Sequence, residues 1–496
     1  MNGLRNKSRL GAALGLLFIF LSFATTVYAD TPDEMKEKGT ALAGTTELDR
    51  DAYADPDDFE PEPIEIPLLL IGLEYGQSAS YDAFFANANG QGFYLCSYDE
   101  ARELQPYAQT GESELHVCRS WKWHALLDRR FETMDLARSA ARDTEGLAFL
   151  LDGEARVLVG SFETADEAER LIRDRALKAS PWQDCASGIF DGAWRLVELV
   201  QEPETVALRC LGEDQTLCYH GGEGYRGDFL LRPTGDGRFT VINAVSLEDY
   251  IKGVIPYEMN SLWPFEALRA QAVCARSYAA GHLNEYAEEY GFDLTDDVES
   301  QVYRGVAEAD EVTDAAVDST AGLFARYEGR LCDVYYFASD GGATEDGYRI
   351  FGVDQPYLAG KLDPFEQAVD EQVLRWQRWR SGEDVARMLA RMGYETGEIV
   401  SVEPEYSELG NVVAMRYTDD EGKTLYLETR DSYKYLSLCS ARFHVEQDEN
   451  GVFVFSGVGF GHNCGMSQWG AYAMAKYYGY HCEDIIRFYF TGAYVG

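Results

Sequence analysis

The residues with most chemical promise lie near the middle of the chain, in residues 245–259, where one carboxylate, Glu258, stands between Tyr257 and Met259. The Val-, Ile- and Tyr-bearing run ahead of it reads as β-strand, and the residues around Glu258 as a short loop. A helix is expected to open next, with Pro264 near its first turn and Glu266 two residues on, where the macrodipole favours an acid. A single Glu held in a loop before a well-made helix is one way to present a proton donor at the lip of a groove. A solvated loop carboxylate is the plainer alternative. Gln271 and Tyr278 fall seven residues apart on the expected helix and so share a face, whereas Arg276 lies on a different one.

The elements that position these residues follow from pattern. The chain begins with Arg5, Lys7 and Arg9, an apolar run over 10–23, and small residues before Asp30. That is the layout of a secretory signal over 1–29, with an uncleaved membrane anchor as the alternative. Either way the bulk of the protein is expected to be exported, secreted or held at the membrane. Residues 30–63 are acidic and proline-punctuated and read as an extended tether. Residues 64–120 read as β-rich.

A repeat with a period of 31 residues follows. Phe131-Glu132-Thr133, ending in Arg142-Asp143, recurs as Phe162-Glu163-Thr164, ending in Arg173-Asp174. Each copy places a strand before the Phe and an amphipathic helix after a Thr N-cap. Residues 121–200 are therefore expected to form a small α+β domain of pseudo-twofold layout. From residue 206 short strands with Gly and Asp turns take over, then a helix over 264–290. An inserted subdomain is expected at about 363–435, with a helix near 382–392 and alternating strands after it. A Gly-rich turn over 457–462, a helix from Ser467 that Gly479 stops, and a last helix after Cys482 complete the chain. The expected class is a multidomain α+β protein of mixed, short-stranded sheets, with a few helices forming a groove.

Composition excludes some functions. A formal net charge of −42 makes nucleic acid and anionic surfaces poor partners. Among anionic wall polymers it argues for a neutral glycan or a confined site. The ten cysteines sit in a compartment that permits disulfides, and Cys210 and Cys218 are spaced to staple a hairpin, with free buried thiols as the alternative. No C-x-x-C occurs and the seven histidines are dispersed, so no metal signature is present.

Five blocks, in order, resemble the SpoIID/LytB family of cell-wall proteins: Leu247-Glu248-Asp249-Tyr250 to Glu258-Met259, the Ala270–Tyr278 segment, Ser300-Gln301-Val302-Tyr303, Tyr336 to Glu345, and Gly459 to Ala471. They cover roughly 206–496. The best-described members are lytic transglycosylases, so the resemblance implies an exported enzyme that cleaves peptidoglycan glycan strands in sporulation or wall remodelling. It implies Glu258 as the catalytic group, giving its proton to the glycosidic oxygen and then taking one from the C6 hydroxyl that closes a 1,6-anhydro ring. Gln271, Arg276, Tyr278, Gln301, Tyr303, Ser339, Gly341, Gly342, His462 and Gln468 are the candidates for the sugar site, with His462 read as turn-fixing rather than as a base. Residues 157–171 resemble the SPOR domain, which binds glycan strands stripped of their peptides.

Departures from the family pattern matter. Where some members bind zinc through Cys and His, this chain has Leu294, Glu299 and Ser300, so neither metal nor cofactor is expected. Asp340, Asn463 and Cys464 also differ from the usual residues. Two further readings stand beside the enzyme. One is a non-catalytic modifier of a partner wall amidase, since some relatives act so. The other is a cysteine hydrolase using Cys464 and His462, which fails because side chains two apart in a tight Gly turn rarely meet.

Overall fold

The computed structural model describes residues 59–66, 68–98, 102–151, 154–184, 186–201, 205–213, 216–370, 374–428 and 432–496. The expected signal at 1–29 and most of the tether at 30–63 lie outside the described residues. Among the described residues no helix is long and apolar enough to cross a membrane.

The chain forms two units that interleave along the sequence. One comprises Ile64–Tyr257 with His282–Ala309. The other comprises Glu258–Gly281 and Asp310–Gly496, together with the chain up to Pro63.

In the first unit a seven-stranded sheet runs in the order Leu294–Thr295, Leu69–Glu74, Phe239–Val245, Asp228–Pro233, Val206–Cys210, Phe93–Tyr98, Leu104–Thr110. Phe239–Val245 is buried at every position, as a central strand covered on both faces must be. A six-stranded sheet is built around Ala186–Asp191, Glu114–Ser120 and Asp82–Asn87. The 31-residue repeat forms a four-stranded sheet in the order Gly146–Leu151, Glu154–Phe162, Trp123–Leu127, Ala179–Gln183, with the helices Met134–Thr144 and Ala165–Asp174 packed on it. This is the β-α-β-β-α-β arrangement of a split βαβ motif. Both expected caps are present: the Thr133 hydroxyl accepts from Leu136 N at 3.3 Å, and Thr164 forms a capping box with Glu167.

In the second unit the helix Phe265–Gly281 is buried over nearly its whole circumference and forms the centre. Two short parallel strands, Tyr336–Phe337 and Met466–Ser467, pair beside the helix Gln468–Tyr478. The helix Gly382–Arg391 opens on a Ser381 capping box, and the strands Ile399–Tyr406 and Val412–Asp419 follow. Their common core runs from Trp376 to Phe455, further along the chain than residue 435.

Three local expectations are corrected. The run before Glu258 is a helix, Leu247–Glu258, not a strand and loop. Tyr250, Ile251, Gly253, Val254 and Ile255 are its buried residues, and the i, i+1, i+4, i+5 spacing of the four large ones is helical despite their strand propensity. Its start is held by Ser246, whose hydroxyl donates to Asp249 at 2.8 Å and accepts from Asp249 N at 3.2 Å. The helix expected over 264–290 ends at Gly281, and Asn284 turns the chain with a φ of 64°. Cys210 and Cys218 do not sit on one hairpin, since their strands belong to different sheets of the first unit, but their thiols are neighbours within hydrogen-bonding reach and are not bridged.

Arg276, placed among the sugar-site candidates, is fully buried and structural. Its guanidinium donates to Ala272 O at 3.3 Å, Leu323 O at 3.2 Å and Val317 O at 3.3 Å. It thereby takes up carbonyls at the C-terminus of the helix Glu311–Asp318, where the macrodipole favours a cation. Replacing it, as in Arg276→Leu, strands those carbonyls and should cost about 3 kcal/mol. Urea unfolding followed by tryptophan fluorescence should show a clearly lowered midpoint; a wild-type midpoint would contradict the assignment.

Candidate active site

Glu258 is the last residue of its helix and is half-buried. Gln468, the first residue of the helix Gln468–Tyr478, donates its side-chain amide to Glu258 Oε2 at 3.0 Å. The Tyr336 hydroxyl lies close to the same carboxyl and favours its charged form. Burial pushes the Glu258 carboxyl up to about 7, against the opposing pull of these two donors. Desolvation wins because neither donor carries a charge. The C-terminal end of its own helix, where carbonyl dipoles point outward, also disfavours an anion.

Tyr336 is held from behind by His462. Cys464 N donates to His462 Nδ1 at 3.2 Å, so the ring hydrogen sits on Nε2 and donates to Tyr336 O at 3.0 Å. Burial pushes His462 down to about 3, and it stays neutral at working pH. The ring packs among Phe337, Phe351 and Tyr335. His462 is a turn-fixing residue. The Cys464 thiol is fully buried, and desolvation holds it far above the ordinary thiol range, so it has no thiolate to attack with.

The departures at Asp340 and Asn463 have structural work to do. Asn463 adopts a φ of 64°, a backbone that asparagine tolerates better than most residues, and donates to Asp340 O at 3.1 Å. Asp340, Asp363 and Glu366 are buried together, with Asp340 neighbouring the other two carboxyls. Burial and the neighbouring carboxylates Glu366 and Asp363 push Asp340 well above its ordinary range. The turn Gly341-Gly342 is spent on this cluster: Gly341 N donates to Glu366 at 2.5 Å and Gly342 N to Asp340 at 2.7 Å. Those amides are not offered to a ligand.

Ser339 is buried and pairs through its backbone with Phe460. Gln271 is fully buried, and neither amide atom meets a partner among the described residues; nothing in the fold accounts for this. Tyr278 is half-buried. Gln301 and Tyr303 belong to the other unit. There Tyr303 is 1% exposed and donates to Asn243 Oδ1 at 2.8 Å, which leaves no ring face for a sugar. Gln301 is buried as well.

Two of the positions where some relatives are expected to bind zinc are described by their local packing. Leu294 is buried and apolar, and the Ser300 hydroxyl accepts from Thr295 N at 3.1 Å.

Sequence reasoning missed Tyr336 as a partner of Glu258, and an aromatic cluster beside the site. Trp263, five residues after Glu258, lies 4.7 Å from Trp469 and 5.1 Å from Tyr472 between ring centroids. Trp469 directly follows Gln468, and both tryptophans keep part of their surface open. The available signal was that each tryptophan neighbours a segment that holds the carboxyl.

The family model described as "Stage II sporulation protein" matches residues 235–327, which include Glu258, Gln271, Arg276, Tyr278, Gln301 and Tyr303. An uncharacterized protein of Brachyspira hyodysenteriae is 33% identical over 275 residues, 55% of this chain and 72% of the relative. Stage II sporulation protein D of Bacillus subtilis is 28% identical over 271 residues, 51% of this chain and 75% of the relative. A protein of the same organism named amidase enhancer is 26% identical over 288 residues, 49% of this chain and 39% of that protein. With these similarities and the five blocks in order, the chain belongs to the SpoIID family.

Proposed function

We propose that this protein is an exported peptidoglycan lytic transglycosylase with Glu258 as its single acid and base. The observation that carries the reading is a carboxyl that takes a hydrogen bond from the Gln468 amide, has the Tyr336 phenol rather than a second acid beside it, and is pushed up to about 7. Hydrolysis through a covalent intermediate or an activated water uses two carboxylates. Intramolecular ring closure uses one.

Protonated Glu258 gives its proton to the glycosidic oxygen as the bond from that oxygen to C1 of N-acetylmuramate breaks and its electron pair leaves with the oxygen. The resulting carboxylate takes the proton of the C6 hydroxyl as that oxygen bonds to C1. The acid is restored, no water is consumed, and the product ends in a 1,6-anhydro sugar. Gln468 and Tyr336 steady the carboxyl in both states and stabilise it most while it is charged, which is midway through the cycle. The exposed edges of Trp263 and Trp469 suit the C–H face of a sugar ring. The repeat domain at 121–200 would add affinity for peptide-stripped glycan, with the tether setting reach.

The relative named amidase enhancer favours one other reading, in which the chain modifies a partner wall amidase without cutting glycan itself. The two readings part at Glu258, which a modifier does not need as an acid.

Glu258→Gln keeps the shape but can neither donate nor accept the travelling proton. Strand cleavage should fall by about 10² to 10⁴, read as release of soluble glycan from amidase-treated sacculi. Near-wild-type release would remove Glu258 from the mechanism. Because the protonated form is the donor, kcat/KM should decline above about pH 7, tenfold per unit. Gln468→Ala withdraws a donor that favours the carboxylate, so it should move this limb to higher pH; a shift downward would refute the arrangement. Activity should persist in chelator, and its loss together with bound zinc would overturn the metal-free account.

A further inference from the structure

The helix Gln468–Tyr478 has to hold its first residue against Glu258, and the first amides of a helix have no partner within it. Trp469 N donates to Ala338 O at 2.9 Å, and Gly470 N to the Ser467 hydroxyl at 3.1 Å. That hydroxyl has one hydrogen, which it gives to Glu366 Oε1 at 3.0 Å. The other oxygen of Glu366 accepts from Gly341 N at 2.5 Å. One carboxyl, 2% exposed, thus bridges the loop after Tyr336-Phe337 and the cap just before Gln468.

Glu366 is itself held in place. Asp363 Oδ1 accepts from Phe365 N at 2.8 Å and Glu366 N at 3.2 Å, which sets the turn Glu366–Ala368. Asp363 Oδ2 takes the Tyr489 hydroxyl at 2.5 Å. Gly470 lies so near this pair that a Cβ there would overlap the Tyr489 hydroxyl and Asp363 Oδ2. The start of the helix therefore rests on the buried acids twice, at Ser467 and at Gly470.

We propose that Glu366 is a positioning residue: it clamps the start of this helix to the loop at 339–342 and so places the Gln468 amide on Glu258. That Glu258 is the acid of glycan cleavage rests on the reading above; the clamp stands on the hydrogen bonds alone. Burying a carboxyl costs stability, and apolar side chains would close the same joint at lower cost. What the carboxyl adds is direction. It draws the hydrogen of the Ser467 hydroxyl toward itself, leaves that oxygen to cap Gly470, and fixes where the helix begins. Tyr336 does not need the clamp, being held by its ladder with Met466 and by His462.

The test reads Glu258 by NMR, in full-length protein with carbon-13-labelled glutamate carboxyls, its signal assigned by its loss in Glu258→Gln. Wild type should titrate at about pH 7. Glu366→Gln keeps the shape but presents one accepting oxygen to two donors. It should raise the Glu258 midpoint by about one unit, the worth of one hydrogen bond to a charged group. In a Gln468→Ala chain the same change should move the midpoint no further, because the amide that Glu366 places is gone. Removing a nearby negative charge acts the other way and lowers the midpoint, so the sign separates placement from field. A midpoint unchanged or lowered in Glu366→Gln overturns the proposal, as does a full further shift in the double variant. If Glu366→Gln does not fold, Ser467→Ala cuts the same link and is read by the same rule. Cleavage of amidase-treated sacculi is followed alongside. A chain whose Glu258 follows this pattern but releases no product sinks the catalytic reading and leaves the clamp standing. One that cleaves with the midpoint unmoved sinks the clamp alone.

Discussion

The site depends on keeping water away from one carboxyl without giving it a cation. A lysine or arginine beside Glu258 would lower its pKa and leave it ionised, useless as an acid near neutrality. The fold supplies neutral donors instead, Gln468 and Tyr336, and each is fixed by backbone rather than by chance. Gln468 opens a helix capped by Ser467, whose hydroxyl accepts from Gly470 N at 3.1 Å. Tyr336 lies on a two-residue parallel ladder with Met466 and is gripped through its carbonyl by a neutral His462. The last family block thus serves Glu258 twice, once directly and once through the strand it pairs with.

A second set of acids shows the same physics used for structure. Asp340, Asp363 and Glu366 have folded pKa values above their ordinary ones, with burial as the leading cause. The folded state therefore holds more protons than the unfolded chain. Their contribution to stability is fully present below the ordinary carboxyl range and declines as pH rises through the folded values. Backbone amides, Ser467 and Tyr489 serve most of the cluster's oxygens. The outcome is a rigid joint between the loop at 339–342 and the segment at 363–366, close in sequence to Tyr336.

Much of this was legible in advance. Thr133 and Thr164 marked helix starts, Ser467 and Gly479 bounded another helix, and the 31-residue period announced two strand–helix units. The failures have physical causes. Val, Ile and Tyr ahead of Glu258 have strand propensity, yet their spacing and the Ser246–Asp249 cap favoured a helix, and tertiary burial decided between them. Arg276 was placed beside sugar by the family resemblance, but the last turn of a neighbouring helix and the loop after it offered carbonyls enough to hold it. Gly341 and Gly342 kept their tight turn, but their amides found carboxylates that no local pattern revealed. Tyr336 could not be found at all from spacing, since it reaches Glu258 only through the pairing of strands far apart in the chain.

The most direct test of the account is mass analysis of the soluble products formed when the purified protein acts on amidase-treated peptidoglycan. The account predicts fragments ending in 1,6-anhydro-N-acetylmuramate, each lighter by one water than the hydrolysed form, and none from the Glu258→Gln variant. Fragments with free reducing ends would contradict it, as would an inert protein that only raises the rate of an added amidase.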